Sequence, residues 1–198
     1  MQKGFSFVEI IISVSVGSIV LVTLFALASQ NLTTAELTRR RFIGANLAQE
    51  GIEIIANIRS NNWLAYPNDV NPDNTLRKWR GETSPPCEPG DADCLADGSY
   101  LAQYDSLKLS NDSALIDIAA IAGILNDPLT KLSIDSKGHY CHSSLNGCSG
   151  IATPSAYSRA MNISTINDHQ IKIISTVAWL YNGFPYSVSI EARLYNWK

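Results

Sequence analysis

The N-terminal stretch Lys3-Gly4-Phe5-Ser6-Phe7-Val8-Glu9 leads directly into a run without any charged residue, residues 10–29. As a helix, this run would be about 30 Å long, which is the thickness of the hydrocarbon core of a bilayer. A helix in the core of a soluble protein normally keeps one polar face, and this run does not show one. The pattern therefore predicts a transmembrane helix.

A secretory signal peptide is the main alternative interpretation of this segment. Such a signal combines a basic start, a short apolar stretch and a small-residue cleavage site. Ala26, Ala28 and Ser29 would supply that site. The apolar stretch is long, however, and it continues into a helical pattern, which favours a permanent anchor.

The residues before the run resemble the type III signal of prepilins, in which a short basic leader ends in Gly and is followed by Phe and, four residues later, by Glu. The resemblance implies that a prepilin peptidase cleaves between Gly4 and Phe5 and methylates the new Phe5 amine. It also implies that the N-terminus lies in the cytoplasm. The charges alone leave the orientation open, because Lys3 lies on one side of the run and three arginines, residues 39–41, on the other.

Glu9 is the only acidic residue before Glu36. A carboxylate at the edge of a membrane is costly and usually functional. We expect Glu9 to pair with the Phe5 amine of an adjacent subunit during filament assembly. The alternatives are that it pairs with its own amine or is solvated at the membrane edge. Many pilins carry a proline in the second half of the span, where this chain has Leu24-Phe25-Ala26-Leu27.

The helix should continue beyond the membrane, because no proline occurs before Pro67 and apolar residues recur at helical spacing. The sequence predicts a leader at 1–4, a transmembrane segment at 5–29, a soluble half-helix at 30–60, an irregular region at 61–135 and an antiparallel sheet at 136–198. Gly44 and Gly51 suggest close packing of this helix against the domain or against neighbouring helices. The predicted architecture is the α+β pilin fold, with one long helix packed on the sheet.

The C-terminal third shows the period-two alternation of β-strands around residues 157–164, 171–179 and 186–194. Asn182-Gly183 joins the last two runs and is a strong hairpin signal. A further hairpin is expected around residues 135–138. In the preceding region, residues 100–104 suggest a strand and residues 113–125 a short helix.

Four cysteines occur as two pairs with six intervening residues, Cys87 with Cys94 and Cys141 with Cys148. A domain outside the cytoplasmic membrane lies in a disulfide-permissive compartment, which favours two short loop-closing disulfides. The alternatives are free buried cysteines and a zinc site. The zinc site would use His139, Cys141, His142 and Cys148, although their spacing matches no usual zinc-finger pattern.

Calcium binding, hydrolysis and nucleic-acid binding have weaker support in the sequence. Residues 69–74 place Asp and Asn at alternate positions as calcium loops do, but they lack the glycine and the distal glutamate of such loops, so an Asn/Asp/Pro turn is favoured. No nucleophile elbow and no His-Glu-x-x-His motif occurs in the sequence. The net charge is −3 without a basic stripe, which argues against nucleic acid as a main partner. We expect no catalytic residue, no metal and no cofactor.

Looser motifs resemble minor pilins of the PilV type: residues 47–51, 58–63, 177–179 and 194–197. The sequence therefore predicts a minor pilin of a type IV pilus-like filament, held in the cytoplasmic membrane by a single span and extracellular after assembly. Its expected partners are the prepilin peptidase, other pilin subunits, the inner-membrane assembly machinery and membrane lipid. The alternatives are a pseudopilin of a type II secretion or DNA-uptake machine and a single-pass membrane-anchored enzyme or sensor.

Overall fold

The computed structural model describes residues 6–65, 78–81, 94–102, 121–143 and 148–196. The chain divides into two compact units, Met1–Arg40 and Arg41–Lys198. One helix, α1 (Phe7–Ala65), makes up the described part of the first unit except for Ser6, and its C-terminal part supplies one layer of the second unit.

α1 is longer at its C-terminal end than the sequence analysis predicted, because it continues past Ser60 to Ala65. Asparagine has a low helix propensity, so Asn61 and Asn62 suggested a turn. Asn62 is nevertheless buried, and Trp63 packs against the hydrophobic core. Tertiary contacts therefore outweigh local propensity here, and the helix ends shortly before Pro67, which restricts the residue that precedes it.

The second unit contains a six-stranded sheet in which every pairing is antiparallel. Its order is β3-β2-β4-β5-β6, and β1 also pairs with β4, alongside the half of β4 that β2 does not cover. The strands are β1 (Gly98–Tyr100), β2 (Lys131–Ile134), β3 (Tyr140–His142), β4 (Thr153–Asn167), β5 (Gln170–Tyr181) and β6 (Phe184–Tyr195).

The three long strands confirm the period-two pattern of the C-terminal third. β5 and β6 are joined by Asn182 and Gly183, which have φ angles of 51° and 81°. A two-residue turn with both central residues at positive φ suits the right-handed twist of the strands that it joins. The turn between β2 and β3 confirms the second predicted hairpin.

The sheet is covered on both faces. The α1 segment of the second unit buries Leu47, Ile55 and Ile58 against alternate residues of β4 and β5, including Met161 and Trp179. On the other face lies a short helix, α2 (Ile121–Asn126), and it is followed by a 3₁₀ turn, Pro128–Thr130. Ile124 of α2 is buried with Ala160 and Ala178, which point away from α1.

The architecture is α+β, with the long N-terminal helix packed on an antiparallel sheet as the sequence predicted. The sheet begins earlier in the chain than the expected residue 136, because β1 and β2 both pair with β4. The region at 61–135 also contains a 3₁₀ turn, Lys78–Arg80, and α2. Of the strand predicted at 100–104 and the helix predicted at 113–125, residues 103–120 lie outside the described part of the chain.

Candidate functional site

The start of α1 carries the acidic residue that the sequence analysis singled out. Glu9 is exposed in the first turn, and its backbone N–H donates to the carbonyl of Ser6 at 3.0 Å. A negative side chain at this position is favourable because the N-terminus of a helix carries a partial positive charge. Gly4 and Phe5 lie outside the described residues, so the cleavage site and the pairing of Glu9 stay predictions.

In the apolar run of α1, four side-chain hydroxyls form hydrogen bonds within the helix. Ser13, Ser15, Ser18 and Thr23 each donate to a carbonyl three or four residues earlier at 2.8 Å. The most apolar 18-residue window of α1 has a mean hydropathy of 2.6, and none of it is buried within the chain. Because the hydroxyls are internally bonded and the apolar side chains point outwards, this surface suits a lipid environment.

The comparison with known families points to the same region. Residues 1–25 match the family described as the prokaryotic N-terminal methylation motif. The chain carries a type IV prepilin-like signal. No curated protein and no solved structure matches the chain.

The signal supports a type IV pilin-like protein, and such proteins are generally structural rather than enzymatic. It implies processing by a prepilin peptidase and assembly with other pilins. The exposed apolar helix near the N-terminus fits a membrane-anchored pilin. The resemblance to minor pilins of the PilV type and the orientation in the membrane stay predictions.

Two glycines allow α1 to approach the sheet closely in this pilin-like protein. A Cβ atom added to Gly44 would lie 2.9 Å from Cζ3 of Trp179. A Cβ atom added to Gly51 would lie 2.8 Å from both Sδ of Met161 and Oγ of Ser175. Real Cβ contacts are essentially never this short. Of the two expected partners, the domain and neighbouring helices, the described contacts of both glycines are with the domain's own sheet.

A buried arginine joins three parts of the second unit. Arg159 is fully buried, and one of its terminal nitrogens, Nη1, donates to the carbonyl of Leu47 at 3.0 Å and to Oε1 of Glu50 at 3.1 Å. Nη2 donates to the carbonyl of Ala102 at 2.7 Å. Burial lowers the pKa of Arg159, and the neighbouring Glu50 carboxylate opposes that shift. The arginine thereby fixes α1, β4 and the segment after β1 relative to one another.

His142 is another buried ionisable group of this unit, and its imidazole is held neutral. Its Nδ1 lies 3.1 Å from the carbonyl of Leu129, which can only accept, so Nδ1–H is the donor. Nε2 is buried without a hydrogen-bond partner among the described residues. Burial and, after it, the positive charge of Arg159 together lower the pKa of His142 from 6.5 to about 3, although backbone hydrogen bonds with Leu129 and Lys131 oppose the shift. Burial is the largest cause, because it removes the hydration that a charged imidazolium needs.

The cysteine that precedes His142 forms one of the two predicted disulfides. Cys141 and Cys148 are bonded, with their Cα atoms 5.4 Å apart. The bond removes both thiolates that the zinc alternative required. The described residues also contain no group of three His, Cys, Asp or Glu side chains placed to hold a metal ion. Cys94 is disulfide-bonded too, but Cys87 lies outside the described residues, so the pairing of these two stays a prediction.

The other ligand alternative, the calcium loop at residues 69–74, lies outside the described part of the chain. Sequence reasoning missed the roles of Arg159 and His142. One signal for Arg159 was present, because it occupies a position in phase with the apolar residues Tyr157, Met161 and Ile163 of β4. No local signal pointed to His142, since its burial depends on the 3₁₀ turn and β2 packing around it.

Proposed function

We propose that this protein is a minor pilin subunit of a type IV pilus-like filament. The observation that carries the proposal is the prepilin-like signal at residues 1–25, together with the exposed apolar helix that begins inside it. In this proposal the prepilin peptidase removes residues 1–4 and methylates Phe5. Residues 5–29 anchor the subunit in the cytoplasmic membrane with the N-terminus inside. The inner-membrane assembly machinery then moves the helix from lipid into the filament.

Glu9 is the assembly residue in this proposal, for an electrostatic reason. Cleavage creates a positive amine at Phe5, and a filament made of packed apolar helices would bury it. A lone buried charge is costly, whereas a paired one is tolerated. Four helical residues separate Phe5 from Glu9, about 6 Å of rise, so a neighbour displaced along the filament axis by that amount brings its amine to the Glu9 carboxylate.

The test is Glu9→Gln, which keeps the shape of the side chain and removes its charge. We expect normal cleavage after Gly4 and normal membrane insertion, but greatly reduced incorporation into sheared filaments at equal expression. Glu36→Gln is the matched control, because Glu36 is the next acid along the same helix and forms a partly exposed pair with Arg40. Wild-type incorporation of Glu9→Gln would refute the pairing role.

A pseudopilin of a type II secretion or DNA-uptake machine is the second candidate, since such proteins share the same signal and the same kind of helix. Immunogold labelling of the tagged protein separates the two. Label on sheared surface filaments supports the minor pilin, and label confined to membranes supports the pseudopilin. A single-pass enzyme or sensor predicts neither cleavage after Gly4 nor dependence on Glu9.

A further inference from the structure

The second unit has a distinct end at which the chain enters it from the first unit. Gly44 of α1 lies against Trp179, and Gly51 lies against Ser175. α1 and β5 therefore run in opposite directions. The first residues of the α1 segment consequently lie at the same end of the unit as the β5–β6 turn.

Two further segments come to this end. Tyr157 of β4 pairs with Trp179, so the start of β4 runs towards the β5–β6 turn. Ile134, the last residue of β2, pairs with Thr153, the first residue of β4. The β2–β3 turn therefore lies at the same end. We define the proximal end as residues 41–42, 134–140, 148–154 and 180–185.

The proximal end exposes large apolar side chains. Ile151 is 88 % exposed, Phe42 68 %, Phe184 67 % and Leu180 54 %. Single exposed apolar residues are common on protein surfaces, but several at one end of a domain indicate an interaction surface. These four side chains are not part of the core, whereas the neighbouring Trp179 is completely buried in it.

The exposed charges of the proximal end have one sign among the described residues. Arg41 and Lys137 are exposed. The one acid, Asp135, is buried, and its Oδ1 accepts the backbone N–H groups of Lys137 and His139 at 2.8 Å each. The proximal end therefore presents basic and apolar groups together, a combination that complements anionic lipid headgroups over an apolar layer.

We propose that the proximal end is a membrane-docking surface that rests on the anionic phospholipid headgroups of the leaflet from which α1 emerges. Phe184 and Ile151 reach between the headgroups, while Arg41 and Lys137 pair with their phosphates. Two sequence features support this occupant. The chain has no charged residue from 10 to 35, and the arginines at 39–41 follow at the water-facing end of that stretch. The anchor also tethers the surface to the bilayer, so weak contacts suffice.

The inference rests on membrane anchoring by α1 and not on incorporation into a filament. It is tested on the full-length processed protein in vesicles, without other pilins. A spin label is placed at Phe184→Cys, and the matched control is Asp168→Cys, an exposed residue in the β4–β5 turn at the opposite end of the sheet. Collisions of each label with oxygen, which concentrates in lipid, and with a water-soluble nickel chelate report its depth.

In vesicles that contain phosphatidylglycerol, we expect a several-fold higher oxygen-to-nickel collision ratio at position 184 than at position 168. The ratio at 184 should fall in vesicles of phosphatidylcholine alone and also with Lys137→Glu, whereas Lys172→Glu on β5 should leave it unchanged. Equal ratios at both positions would overturn the proposal. A label at 184 shielded from both reagents would overturn it in favour of a second copy of the chain as the occupant. The comparison of the two lipid compositions uses the protein without a charge substitution. It therefore tests the proposal even if Lys137→Glu disturbs the fold.

Discussion

Acidification should destabilise this protein through one histidine. The imidazole of His142 is neutral in the folded state with a pKa of about 3, whereas an exposed histidine has a value of 6.5. Between pH values of about 3 and 6.5, unfolding is therefore accompanied by the uptake of one proton by His142. The free energy of unfolding is fully retained above pH 6.5 and falls by about 1.4 kcal/mol per pH unit as the pH drops towards 3. Between pH values of about 6 and 4, His142 alone contributes a loss of about 2–3 kcal/mol.

The perturbation that isolates this contribution is His142→Gln, which keeps a donor for the carbonyl of Leu129 and removes the titrating ring. Urea unfolding of the detergent-solubilised protein, followed by tryptophan fluorescence, gives the free energy of unfolding at each pH. Carboxylates also titrate in this range, but the difference between wild type and variant removes their common effect. We expect the free energy of unfolding of wild type, relative to that of the variant, to fall by about 2–3 kcal/mol over that interval.

His169→Gln serves as the matched control, since it removes an imidazole that is exposed in the β4–β5 turn. A difference between wild type and His142→Gln that stays constant from pH 6 to pH 4 would refute the reasoning. It would mean that water reaches Nε2 or that the buried site opens before the protein unfolds.

Three further outcomes are expected. Gly44→Ala should lower the free energy of unfolding by about 1 kcal/mol, because overpacking against the Trp179 ring exceeds the gain in helix propensity; Gly17→Ala, where a Cβ meets nothing within 4 Å, should not lower it. Non-reducing peptide mapping of exported protein should find the Cys141–Cys148 and Cys87–Cys94 bonds, and free thiols in exported material would contradict this. A fragment that starts at Leu32 should be soluble, monomeric and cooperatively folded, because the core lies within the second unit; loss of folding would show that the apolar run contributes to that core.

Much of the fold could be predicted from local pattern. The alternation along β5 and β6 and the Asn182-Gly183 turn defined the main hairpin, because these signals arise within a few residues of the chain. The apolar stripe of α1 predicted which of its residues would be buried, including Leu47 and Ile58. The prepilin-like signal was predictable for the same reason, since it is a short contiguous motif.

The remaining features depend on contacts between distant residues. Arg159 bonds to Leu47, which is 112 residues away in the chain, and to Ala102, which is 57 residues away. No periodicity within one strand reports such partners. The same holds for α2, whose packing against Ala160 and Ala178 on the second face of the sheet gives no local signal. The C-terminal end of α1 was placed too early because local propensity carries no information on the burial of Asn62.

N-terminal mass spectrometry of the membrane-bound protein shows whether this protein is processed as a type IV pilin-like subunit. In cells with an active prepilin peptidase, we expect that the first residue is Phe5 and that its amine carries one methyl group. A first residue of Met1 or Gln2 under the same conditions would show that the protein is not processed as a type IV pilin-like subunit.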